Sequence, residues 1–415
     1  MIADFVEAFL DHEFARETQF LAELVKVASD NPPGDCAPHA QRVRELLADV
    51  GLTVKAHRVP RAAVEAAGMI SATNLIVRHG FGNGPVIALN AHGDVVPAGG
   101  GWRLDPYGAT IEDGAHGPVM YGRGVAVSKS DFATYTWALL ALIAAAGQGG
   151  KFAGTVELHF TYDEEAGGNV GPKWLLDQGL SRPEAVIAAG FSYAVVTAHN
   201  GCLHLEVTIT GKQAHAAMPE TGVDALEAAT AILAVLYDHR AALRRMRSKM
   251  PGIVAPTLNV GLIKGGINTN VVPDQVAFRI DRRIVPEEDP VAVEAALRTL
   301  IADCAKRFPQ ASVTIRTLLL ARPLVPQPGT DRVAAALQRH AERILGVDVP
   351  TAAVPLYTDA RHYAAAGIPV VLYGAGPRSI TEANAHGANE KLRLADLRAA
   401  TKIVACAVAD LLVAT

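Results

Sequence analysis

The sequence predicts a discontinuous α/β fold: an open, mostly parallel, helix-flanked sheet interrupted by a smaller ferredoxin-like α+β unit. Three observations predict it. Short apolar runs ("TNLIVRHG", "PVIALNAH", "TVELHFTYDEE", "EAVIAAG", "PVVLYGAG") alternate with helical runs at 128–147 and 170–178, the rhythm of an α/β sheet buried on both faces. From about residue 199 the order becomes β-α-β-β-α-β, starting at "CLHLEVTITGK" and closing on "ASVTIRTLLL", which predicts the ferredoxin-like unit. Near residue 330 the first rhythm resumes and ends in the helix "LADLRAATKIVACAVADLLV". Residues 1–198 and 318–415 are therefore expected to form one domain, interrupted by 199–317.

The elements follow in order. "RETQFLAELVKVAS" and "APHAQRVRELLADVG" carry apolar residues at helical spacing, with Val43, Leu46, Leu47 and Val50 on one side of the second. The stretch before them, "MIADFVEAFLDHEFARE", is acidic where a secretory signal would be basic, and it has no continuous apolar core. "WALLALIAAA", the longest apolar run, is about half of what a membrane-spanning helix needs. With 415 residues, 50% of them hydrophobic and 19% charged, the chain can bury a large core and divide into more than one domain. A net charge of -4 leaves no footprint for nucleic acid or an anionic membrane. Cys36, Cys202, Cys304 and Cys406 lie far apart with no CxxC pair, as expected of buried thiols in a reducing, cytoplasmic setting.

The chemistry gathers at strand ends, where open α/β sheets bind ligands. "IALNAHGD" ends in His92 and Asp94, "HFTYDEE" in Asp163, Glu164 and Glu165, and "SITEANAHGANE" carries His386 ahead of the last helix. A histidine and a carboxylate two apart suit a metal ligand and its orienter. Adjacent glutamates suit a general base beside a ligand. "YGRGVAVSKSD", residues 121–131, looks at first like a phosphate loop, but Ser128 precedes Lys129 where a phosphate cradle needs glycine.

Taken in order, "LNAHGDVVP", "YGRG", "TYDEEAGG", "AHNG", "GKQAHAAMPETGVDA", "NTNVVPD", "TDARHYAAAGIPVVLYGAG" and "AHGANE" resemble the zinc aminoacylase and carboxypeptidase family. That family includes acetylornithine deacetylase, succinyl-diaminopimelate desuccinylase, glutamate carboxypeptidase and allantoate amidohydrolase. The resemblance implies an interrupted catalytic domain, a lid and dimerisation domain, and hydrolysis of an amide beside a carboxylate by two divalent metal ions about 3.5–4 Å apart. By motif, His92 resembles a ligand of one metal with Asp94 behind it. Glu164 resembles the general base, and Glu165 and His386 resemble ligands of the other metal. His215 resembles the lid histidine that reaches the partner subunit's site. Asn270, Arg283 and the Gly374–Gly376 backbone resemble groups that hold the substrate's carbonyl and carboxylate.

Two positions depart from that pattern. The family reads GRGxxDMKGG, and its metal-bridging aspartate falls on Val127; an acidic ligand in a phrase like VGEPT falls on Gly190 by strand register. Neither side chain offers a lone pair. One half-site then keeps His92 alone and the other Glu165 and His386, fewer than the three protein ligands usual for catalytic zinc. Ser128, Asp131, Asp163, His199, His204 and Asp359 are the candidate substitutes. The expectation is a hydrolase of a small carboxylate-bearing amide with Glu164 as base, one or fewer tightly bound zinc or similar ions and no organic cofactor, dimeric through its lid. A metal-independent enzyme acting on another bond and a silent carboxylate-binding homologue are the alternatives.

Overall fold

The computed structural model describes residues 2–412. Contacts divide the chain into two compact units. The first comprises the chain up to Thr197, Pro326–Ala352 and the chain from Thr358 onward; the second comprises Ala198–Val325 with Ala353–Tyr357. The expected boundary at 317/318 falls inside the strand Ser312–Ala321, the fourth of the second unit, and the chain returns to the first unit only at Pro326.

An eight-stranded sheet organises the first unit. Its order is Val54–Arg58, Thr73–Gly80, Thr155–Thr161, Val86–His92, Ala185–Ala188, Val370–Leu372, Val195–His199 and Thr351–Val354. Pairing is parallel from Thr155–Thr161 through Val86–His92 and Ala185–Ala188 to Val370–Leu372, and antiparallel where Val54–Arg58, Thr73–Gly80 and Thr155–Thr161 meet and between Val370–Leu372 and Val195–His199. The central strands are buried almost throughout, as parallel strands covered on both faces must be. Their ends at His92 and Thr161 lie in register and so deliver the two acidic loops to one place.

Helix Lys129–Gly147 is apolar nearly all round, because helices Ile2–Val25 and Leu394–Leu411 both pack on it. The first of these begins well before the expected Arg16, because its acidic turns find distant bases: Arg343 pairs with Glu7 at 2.6 Å and Arg398 with Asp11 at 2.6 Å. A small antiparallel sheet, Thr110–Gly114, Gly117–Tyr121 and Lys391–Arg393, ties the loop before Gly122 to the segment after His386.

The second unit is a four-stranded antiparallel sheet in the order Thr257–Gly265, Gln275–Ile284, Gly201–Thr210, Ser312–Ala321, with helices Ala225–Leu243 and Pro290–Ala305. This is the ferredoxin-like order. Leu203, Leu205, Val207 and Ile209 alternate inward to the helices, and Asp224 and Asp289 cap the two helices by accepting backbone N–H groups.

Candidate metal centre

His92 ends its strand buried, and its Nδ1 lies 3.0 Å from the carbonyl oxygen of Asp94. That acceptor fixes the proton on Nδ1 and leaves Nε2 for a ligand. The tight turn between the two residues depends on Gly93, where a Cβ would lie 2.6 Å from the Tyr162 ring. Ser128 closes the other side, its Oγ donating to the His92 carbonyl at 3.0 Å.

Asp163 turns the next strand with φ 115, and its Oδ2 accepts the Val170 N–H at 2.7 Å. A 3-10 turn, Glu164–Ala166, follows. Asp94 receives its backbone: Glu164 N donates to Oδ1 at 3.2 Å and Glu165 N to Oδ2 at 3.1 Å, while Asn31 donates to Oδ2 at 3.0 Å. Asp94 is thus fully buried and spent on orientation. The result is convergence: potential ligand atoms of His92, Glu164 and Glu165 all lie within 4.8 Å of one another. His386 Nε2 sits 3.3 Å from Glu165 Oε1, although half of the His386 side chain stays exposed.

The charge balance of this cluster is that of a cation site. Burial, reinforced by Glu165, Asp359 and Asp94, pushes Glu164 well above the usual carboxylate range despite the opposing pull of His92. Burial alone would depress His92, but Asp94, Glu164 and Glu165 together raise it well above an ordinary histidine. Asp359 is pushed up to about 7, first by burial and then by neighbouring carboxylates against the pull of His92 and Arg361. Both Asp359 oxygens and Asp163 Oδ1 are buried without a hydrogen-bond partner among the described residues. Orphaned buried oxygens around an imidazole are costly unless a positive charge joins them.

Val127 is half-buried beside this cluster's scaffold, and its side chain has no donor atom. Its N–H donates to Glu390 Oε1 at 3.2 Å, as does that of Ala126 at 3.0 Å. At Gly190 an added Cβ would lie 2.7 Å from the backbone of Leu372 and Tyr373, so this backbone has no room there for an acidic side chain. Asp131 is turned to the same strand ends: its Oδ1 accepts from Ala375 N at 2.7 Å and would lie 2.0 Å from a Cβ on Gly374. Its carboxyl is therefore committed to the fold, and burial pushes it up to about 7. The Gly374–Gly376 segment is held internally as well. Gly376 N donates to Gly190 O at 2.9 Å, and Ser192 Oγ donates to the carbonyls of Gly374 and Gly376 at 3.0 and 2.8 Å.

Within the second unit, His215 and Asn270 are exposed neighbours: Val271 bridges to His215, and Ala216 N donates to Asn270 O at 3.0 Å. Arg283 lies elsewhere in that unit, bidentate on Asp281 at 3.0 and 3.1 Å and over the Tyr357 ring. His199 is buried with Nδ1 2.8 Å from Asn200 O, and His204 Nε2 lies 3.0 Å from Asp281.

Sequence reasoning gave no role to Arg123 and Glu390. They form a buried ion pair at 2.7 Å that anchors both the Ala126–Val127 turn and, through Arg123 to His386 O, the His386 loop. Both lie inside quoted motifs, and a charged residue there was the available signal.

The sequence profile of peptidase family M20/M25/M40 matches residues 88–410. An acetylornithine deacetylase of Myxococcus xanthus is 28% identical over 350 residues, covering 83% of this chain and 86% of that protein. An uncharacterized metallohydrolase of Methanococcus maripaludis is 29% identical over 249 residues, 56% of this chain and 57% of that protein. Among solved structures, the M20 family metallo-carboxypeptidase Sso-CP2 of Sulfolobus solfataricus shares the fold with a TM-score of 0.76 at 17% identity, covering 95% of this chain and 98% of that one. A profile match across most of the chain, on an interrupted fold whose strand ends gather a histidine and two glutamates, establishes that this chain belongs to peptidase family M20/M25/M40.

Proposed function

We propose that the protein hydrolyses a small carboxylate-bearing amide, an N-acyl amino acid or dipeptide-like substrate, at a centre that holds a single divalent transition metal such as zinc. Family membership makes it a metallohydrolase of the peptidase and deacylase class. What supports one ion is the convergence of His92 and Glu165, with His386 beside Glu165, around orphaned carboxylate oxygens, while the Val127 side chain has no donor atom with which to bridge to a second. Imidazole nitrogens and carboxylate oxygens are an apt donor set for zinc. A bound ion would polarise the scissile carbonyl and make water acidic enough to lose a proton near neutral pH.

The residues around it divide the remaining work. Glu164, held by Asp94 through its own N–H, accepts the proton from water and returns it to the leaving amine; its raised affinity for protons suits that exchange. Asp94 fixes the His92 tautomer, and Glu165 with His386 completes the anchorage. Asn270 takes the substrate's carbonyl, and His215 steadies the developing oxyanion from across a dimer.

The test is turnover of a panel of N-acyl amino acids and dipeptides by protein stripped with a chelator and reloaded with zinc. Activity that is lost and then restored is expected. Turnover indifferent to the chelator favours a metal-independent enzyme, and none from any panel member favours a binding protein.

A further inference from the structure

The second unit carries a cluster that the proposed reaction does not use. Period-2 alternation along Gly201–Thr210 sends Leu203 and Leu205 to the helices and leaves Cys202 and His204 on the opposite face of the sheet. Antiparallel register sets Arg283 opposite Cys202 and Asp281 opposite His204. Three different donors meet there. Cys202 Sγ lies 3.2 Å from His204 Nε2, His204 Nε2 lies 3.0 Å from Asp281 Oδ2, and Cys202 Sγ lies 3.9 Å from that same oxygen.

We propose that Cys202, His204 and Asp281 form a second metal site, independent of the His92 cluster and selective for a thiophilic divalent ion such as zinc or cobalt. The triangle defined by those three distances has a point about 2 Å from every corner, close to the lengths of zinc bonds to imidazole, carboxylate and thiolate. A shared hydrogen-bond relay fits less well. Both the sulfur and the oxygen approach the same nitrogen, Nε2, whereas a thiol–imidazole–carboxylate relay needs the base to use its two nitrogens on opposite sides.

The surroundings favour the charge state that ligation needs. Arg283 donates to both oxygens of Asp281, fixing the carboxylate plane as an outer partner does around a metal, and it stands across the strand pair from Cys202, where a cation favours the thiolate. Thiolate and carboxylate together balance a dication beside that guanidinium. A thiolate and an imidazole select against magnesium and calcium, which prefer oxygen donors. Three protein ligands leave the fourth tetrahedral position for water or another small donor.

Cobalt distinguishes this site from the other, because the His92 cluster contains no thiolate. Reduced, metal-free, full-length protein titrated with Co²⁺ should develop a near-ultraviolet thiolate-to-cobalt charge-transfer band that saturates by two added equivalents per chain, since the His92 centre takes up cobalt without contributing to it, and is abolished by added Zn²⁺. Cys202→Ser should remove the band, and His204→Ala, at a half-exposed position, should weaken the binding that produces it by more than about 100-fold. Glu165→Gln should leave it unchanged. Absence of the band from the wild type at excess Co²⁺ overturns the proposal without recourse to any variant. So does a band of undiminished strength in Cys202→Ser, which would assign it to Cys36, Cys304 or Cys406, or an undiminished affinity in His204→Ala.

Discussion

At residue scale the decisive contrast is between Val127 and Gly190, the two positions where the family pattern leads to expected ligands. Val127 lies in a turn whose backbone is pinned to Glu390, so a substitution there leaves that anchor in place. Val127→Asp is expected to raise metal uptake at the His92 centre, measured by elemental analysis after dialysis. Unchanged uptake in a folded variant would mean that this position no longer faces the centre. Gly190→Asp should behave differently: its Cβ collides with backbone at 2.7 Å, so it should destabilise the fold by about 1–3 kcal/mol or more, read as a shift in urea midpoint. A neutral midpoint would show that the strand ends yield. Glu164→Gln removes a proton acceptor while keeping the shape, so kcat should fall about 100- to 10,000-fold with KM little changed. Intact turnover would transfer the role of base to another residue. The convergence of His92, Glu164 and Glu165 was legible here, because histidine and acids at strand ends are read directly. The steric closure at Gly190 was not, because it depends on a neighbouring strand more than 180 residues away.

At the scale of elements, the helix pair Ile2–Val25 and Leu394–Leu411 contains a group with a definite pH signature. Glu17 is wholly buried, accepts from Thr401 at 2.5 Å through Oε1, and leaves Oε2 without a partner among the described residues. Burial, only partly opposed by Thr401 and Arg398, pushes its acid from 4.5 up to about 8. Between those values the folded chain keeps a proton that the unfolded chain has released. Stability is therefore expected to fall as pH rises through this window, by up to about 1.4 kcal/mol per pH unit from this one group. Glu17→Gln should flatten that slope in denaturant titrations from pH 5 to 8, and identical slopes would contradict the assignment. The large elements were legible in advance: strands of seven to ten residues announce themselves by burial or alternation, and Asp224 and Asp289 mark helix starts. The three-stranded sheet was not, since its strands run only three to five residues, too short to show a period.

At the scale of the molecule, the second unit presents an edge. Strand Thr257–Gly265 pairs on one side only, with Leu262 41% and Ile263 52% exposed, and helix Ala225–Leu243 leaves Leu226 and Tyr237 outside. Uncovered apolar strand edges are liabilities that self-association removes. A homodimer through this unit is the expected outcome of light scattering at micromolar concentration, and a fully active monomer would contradict it. Among the described residues no helix is long and apolar enough to cross a membrane. One ion is expected at the His92 centre, and the zinc content of Cys202→Ser, in which the thiolate of the second site is gone, reports it without interference from that site. Loaded with excess zinc and dialysed, that variant should retain one equivalent per chain, falling below one in Glu165→Gln on the same background. Two tightly held equivalents, or none, would contradict a single-ion centre.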